Sequence, residues 1–91
     1  MEEYQAAITS FEDFLKNNPT TVHREEIINY MVLTYANYAD NSVVEKQRER
    51  YELALEKYNT LVYMYPESKY IAELEPVIEK VKVELTNIKT K

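Results

Sequence analysis

The sequence predicts an all-α fold made of stacked helix–turn–helix repeats, and three observations carry that expectation. The 91 residues include no glycine, the residue on which tight β-hairpins and phosphate-cradling loops usually depend. This disfavours an all-β fold and removes Walker and Rossmann motifs. A pattern of one small residue, two large apolar residues and a proline occurs twice. It appears as Ala7, Phe11, Phe14 and Pro19, then as Ala54, Tyr58, Leu61 and Pro66, each residue 47 positions from its counterpart. A small residue admits a close neighbour, apolar residues three and four apart share a helical face, and proline stops the helix. The same offset carries Ile27, Met31, Thr34 and Tyr38 onto Leu74, Ile78, Val81 and Leu85, so the repeat spans a whole helical pair. Units of this kind cover their apolar faces only by stacking. The expected architecture is a single domain over residues 1–91. It has four antiparallel helices, at about 3–17, 21–40, 43–65 and 68–89, stacked as a right-handed α-solenoid fragment rather than closed into a bundle.

Each element has its own signals. The first helix places Tyr4, Ala7, Ile8, Phe11, Phe14 and Leu15 on its buried side and stops at Asn17-Asn18-Pro19, because the residue before a proline is pushed out of the α region. Thr20 or Thr21 is expected to cap the second helix, with Glu25 and Glu26 at its positive end. Asp40-Asn41-Ser42 is the following turn, and Ser42-Val43-Val44-Glu45 reads as a capping box for the third helix, which ends at Tyr65 ahead of Pro66. Ser68 is the expected cap of the fourth helix, whose apolar face is Leu74, Ile78, Val81, Leu85 and Ile88. Pro76 lies inside that helix and is expected to kink it or delay its regular part, at roughly 3 kcal/mol if it falls mid-helix.

Composition narrows the function classes. With 45% hydrophobic and 30% charged residues, the chain is too apolar for disorder. Its net charge of −5 lacks the basic footprint of nucleic-acid binding. There is no cysteine, hence no disulfide, thiol nucleophile or zinc-thiolate site, and redox chemistry says nothing of compartment. The longest uncharged interior run, Ile27 to Ala39, has 13 residues with Asn, Thr and three Tyr, whereas a bilayer span needs about 20 apolar ones. The opening MEEYQ has neither a basic nor an apolar signal region, so the protein is expected to be cytosolic or to be read here without its targeting segment.

Small-x3-aromatic-x2-apolar-x4-Pro resembles the second-helix signature of a tetratricopeptide repeat, with Phe14 and Leu61 standing where alanine is commonest. The usual period of that repeat is about 34 residues, and the longer offset here would extend the helices beside the Asp40 turn by about two turns each. Long repeats of this kind resemble the BamD (YfiO-type) outer-membrane assembly lipoproteins. The segment Asn41 to Glu75 is similar to the last repeat of that family, most distinctively in Glu45-Lys46-Gln47-Arg48-Glu49-Arg50-Tyr51 and Tyr65-Pro66-Glu67-Ser68-Lys69-Tyr70. Tyr4 to Pro19 is similar to the penultimate repeat. The resemblance implies a scaffold on the periplasmic side of the outer membrane, lipid-anchored, helping to insert β-barrel proteins beside a BamA-like barrel. A lipid-bearing cysteine, a signal peptide and the N-terminal repeats are missing from these 91 residues, so the chain is expected to be the C-terminal, docking part of such a protein.

Candidate sites stand beside plainer readings. Lys46, Arg48 and Arg50 fall in the first turns of the third helix, where cations oppose the helix dipole. They point to a partner's acidic patch, or form a solvated face among Glu45, Glu49 and Glu52. In tetratricopeptide repeats the first helix of each unit lines the concave face, which puts His23, Glu26, Tyr30 and Leu33 on a peptide groove. His23 is the only histidine, expected neutral and exposed, with no second ligand for a metal. The nine tyrosines suit either an interaction surface or helix packing with hydroxyls at the rim, the latter favoured for Tyr51 and Tyr58. Glu25 and Glu26 diverge by about 100° on a helix and read as surface charge, not as an acid–base pair. No catalytic constellation and no cofactor are expected. The reading is a non-catalytic protein–protein scaffold; the alternative is a generic tetratricopeptide adaptor binding a peptide in a cytosolic assembly or chaperone complex. The first helix, missing its own partner, is expected to be under-covered around Tyr4, Ile8 and Leu15 and to self-associate at high concentration.

Overall fold

The computed structural model describes residues 2–89; Met1, Thr90 and Lys91, the ends of the expected 1–91 domain, lie outside the described residues. The fold is all-α, with no strand among the described residues. Its four helices are α1 (Glu2–Asn17), α2 (Arg24–Asp40), α3 (Val44–Met64) and α4 (Lys69–Lys89). Helix α2 is the hub, packing on α1, α3 and α4, and among the described residues no Cα of α1 comes within 8 Å of α3 or α4. A closed four-helix bundle would bring the first and last helices together. The Cα extents of 42 × 29 × 15 Å describe an elongated slab of stacked helix pairs.

The hub position follows from the uncharged run. A helix apolar nearly all round has to be covered nearly all round, and α2 buries Ile27, Ile28, Met31, Val32, Tyr35, Ala36, Tyr38 and Ala39. Its two sides feed two core clusters. Ile27, Met31, Tyr35 and Tyr38 meet Ile8 of α1, Tyr51 and Ala54 of α3, and Val81 and Leu85 of α4. Ile28 and Val32 meet Leu61, Leu74 and Ile78. Leu55 packs against both clusters. Ala54 is 0% exposed; its single methyl lets α2 and α3 approach, and a larger side chain would force them apart.

Three local expectations need correction. The second helix starts at Arg24 rather than near residue 21. Its N-cap is His23, without a side-chain cap bond, so neither Thr20 nor Thr21 caps it. The Thr21 hydroxyl instead accepts from the His23 N–H (3.1 Å), and the Pro19 carbonyl accepts from Arg24 Nη2 (2.5 Å), so this stretch closes on itself as a loop. The capping box at Ser42 does not form either, because the N-cap of α3 is Val43. The Ser42 hydroxyl is already engaged, donating to the Tyr38 carbonyl and accepting from Arg50 Nη1 (2.6 Å). It closes the end of α2 instead of opening α3. The under-covered side of α1 is also misplaced: Ile8 is 2% exposed, while Tyr4 and Leu15 are half-buried against the core. Tyr4 stacks on Tyr38 at 5.6 Å.

Other boundaries follow the sequence signals. Helix α1 ends where Asn18 donates both its N–H and its side-chain amide to the Phe14 carbonyl, each at 2.9 Å, ahead of Pro19. The Tyr65 N–H closes α3 on Leu61 O at 2.8 Å, ahead of Pro66. Ser68 Oγ accepts from the Tyr70 N–H (3.2 Å), satisfying one of the unpaired donors at the start of α4. Pro76 stands inside α4, and the helix runs through it without interruption.

Candidate interaction surface

The second-helix signature serves packing unequally in its two copies. In α3, Ala54 and Leu61 are fully buried, and Tyr58 is half-buried against the second cluster. In α1, Ala7 and Phe11 are only half-buried, and Phe14, the counterpart of Leu61, is 40% exposed. The prolines Pro19 and Pro66 are exposed. The difference has a simple cause: the backbone of α3 lies close to both α2 and α4, whereas that of α1 approaches α2 alone.

The basic trio separates. Lys46 and Arg48 are exposed and form no ion pair among the described residues. Arg50 is half-buried, with its guanidinium carbon 3.8 Å above the centre of the Tyr38 ring and Nη1 on Ser42 Oγ. A planar, weakly hydrated guanidinium suits that position. Sequence spacing put the three cations together, but it could not show that one of them ties the α2–α3 turn.

His23, Glu26, Tyr30 and Leu33 fall on the one open stripe of α2, at the spacing of a single helical face. His23 is exposed, Glu26 and Leu33 are half-buried, and Tyr30 is 45% exposed. The Tyr30 ring stacks on Phe11 at 6.2 Å, and its hydroxyl lies 3.5 Å from Glu26 Oε2. Farther along, Leu33, Ala36 and Asn37 face Val77, Lys80 and Val81 of α4 across a cleft of about 130 Å³.

Two features escaped sequence reasoning. Asp40 accepts from the Tyr51 hydroxyl (2.6 Å) and from Lys80 Nζ (2.8 Å), tying the end of α2 to the interior of α3 and of α4. Burial first, then the hydrogen bond to Asp40 and the charges of Asp40 and Glu84, push the Tyr51 phenol well above its ordinary range. Tyr35 is raised as well, by burial and then by Glu12 and Glu56. Nothing local in the sequence marks Asp40 as more than a turn residue, although a tyrosine at a core position signals a hydroxyl in need of a partner. The other missed feature is the outward face of α3, where Leu55, Asn59, Tyr63 and Met64 line a shallow groove of about 730 Å³ with Glu52 and Glu56.

Among the described residues, no group of three His, Cys, Asp or Glu could hold a metal ion, and no helix is long and apolar enough to cross a membrane. The fold and these surfaces define a tetratricopeptide-like repeat protein. Comparison with known families places it further: the YfiO family, described as outer membrane lipoproteins, matches residues 1–90, and the chain belongs to this BamD-type family. No curated protein matches it significantly.

Proposed function

We propose that the chain is a non-catalytic protein–protein interaction scaffold, working on the periplasmic side of the outer membrane in β-barrel protein assembly. Its partner is a BamA-like barrel assembly protein or another subunit of that machinery, and its own membrane attachment is through a lipid anchor that these residues do not carry. Lys46 and Arg48 carry this reading. They are solvated cations at the start of α3, in a chain of net charge −5, and the helix dipole there disfavours them. An acidic partner surface would relieve that placement. Arg50 supports the site from beneath by fixing the α2–α3 turn. Helices already formed present these side chains with little ordering cost on binding.

The test is a pull-down against the periplasmic domains of a BamA-type protein at two salt concentrations. Binding should weaken at high salt and disappear with Arg48→Glu, while circular dichroism stays unchanged. Binding that ignores both salt and Arg48 would overturn the assignment. A second reading, a peptide held along His23, Glu26, Tyr30 and Leu33, is favoured by the exposure of Tyr30 on the open stripe of α2. It requires Tyr30→Ala, not Arg48→Glu, to abolish capture.

A further inference from the structure

The outward face of α3 is unlike its counterpart in α1. Tyr63 is 87% exposed, and Met64 and Val62 beside it are also open. Leaving a large aromatic and a methionine in water is unfavourable without a reason. The repeat supplies an internal control: at the 47-residue offset, Tyr63 and Met64 correspond to Lys16 and Asn17, and Asn59 and Thr60 correspond to Glu12 and Asp13. The stacked fold therefore accepts polar residues at every one of these positions. The buried face of α3, with Tyr51, Ala54 and Leu61, lies on the opposite side of the helix. Of the apolar groove residues Leu55 also packs against the core, whereas Tyr63 and Met64 belong to neither core cluster and are open.

The groove also has a charge. Glu52 and Glu56 are its charged residues, both exposed, and Glu45 and Glu49 continue toward the start of the same helix. The Thr60 hydroxyl donates to the Glu56 carbonyl (3.0 Å), leaving the Asn59 amide, the Tyr63 hydroxyl and the two carboxylates as the polar groups most open to a ligand. A shallow groove with an exposed tyrosine and methionine, edged by carboxylates, matches the apolar stripe of a helix flanked by lysine or arginine.

We propose that this face of α3 is a second docking surface, which takes an amphipathic helix of another protein bearing basic residues beside its apolar stripe. It deepens the scaffold reading and rests on it, but lies farther along α3 than Lys46 and Arg48, beyond Glu52. A second copy of this acidic chain is the poorer occupant, because net charge −5 makes like surfaces repel.

The test is a titration of the isotopically labelled protein, followed by amide chemical shifts, with a stapled helical peptide of leucine, alanine and lysine. A matching peptide with glutamate in place of lysine is the control. The lysine peptide should shift resonances around Leu55, Asn59, Tyr63 and Met64. Tyr63→Ala, at an exposed position that leaves folding untouched, should weaken it at least about tenfold. Glu52→Lys with Glu56→Lys should reverse the preference between the two peptides. The proposal fails if neither peptide binds, if both bind equally, or if the shifts centre on the open stripe of α2. It fails too if the same resonances move with protein concentration alone, which would assign the face to a second copy. Retained peptide binding without capture by the barrel protein overturns the Lys46–Arg48 reading alone; the reverse pattern overturns this one alone.

Discussion

At the scale of single residues, the Tyr51–Asp40–Lys80 junction makes the most direct energetic claim. Its ion pair alone is weak, since the Lys80 side chain is 58% exposed and exposed pairs contribute little. The Tyr51 hydroxyl is different: it is tied to Asp40 from a buried ring. Tyr51→Phe should therefore lower stability by about 1–2 kcal/mol, read from urea unfolding. The pH dependence follows from the raised phenol. Folding holds Tyr51 protonated beyond the point where the unfolded chain ionises, at about pH 10. The contribution is complete below that pH and is lost as pH climbs toward the folded value. Wild-type stability should fall above about pH 10, and less steeply in Tyr51→Phe; identical alkaline profiles would remove Tyr51 from the account.

At the scale of elements, the two copies of the second-helix pattern are a paired experiment. Leu61→Ala empties a fully buried site between α2 and α4 and should cost about 3 kcal/mol, whereas Phe14→Ala, on a helix covered from one side, should cost less than about 1.5 kcal/mol. Equal costs would mean that α1 is as well packed as α3. Pro76→Ala restores a backbone donor inside α4 and should raise stability by about 1–3 kcal/mol; a loss would show that α4 needs the proline to follow its neighbours. The helices were legible because their apolar spacing and prolines act locally. Ser42 was misread because its hydroxyl has two competing uses, and the one that won involves Arg50, eight residues away. Thr21 failed as a cap for a similar reason, its oxygen being spent on the loop.

At the scale of the molecule, the stacking was legible in the 47-residue offset, whereas coverage was not. Which side of α1 remains open depends on how α2 lies across it, and that turned out to spare Phe14 rather than Ile8. Self-association, if it uses this side, should involve Phe14: sedimentation at millimolar concentration should show dimers that Phe14→Glu disperses. A wild-type chain that stays monomeric would reject the idea. The candidate surfaces were partly legible. Lys46 and Arg48 were visible as cations misplaced on a dipole, and the stripe of α2 followed from repeat register. The groove on α3 stayed hidden because Tyr63 suits an interaction surface and helix packing equally until the buried side of the helix is known.

The hub position of α2 has a kinetic consequence. Three of the four helix contacts join neighbours in the chain, and only the approach of α2 to α4 skips an element. So little loop closure precedes the first stabilising contacts that folding should take microseconds to milliseconds. The nucleus should be the α2–α3 hairpin, where both core clusters meet. Val32→Ala should slow refolding in stopped-flow or temperature-jump experiments, while Phe11→Ala should mainly hasten unfolding. Helix α1 would then be the last segment to dock and the first to leave, giving its amides the fastest hydrogen exchange of the four helices.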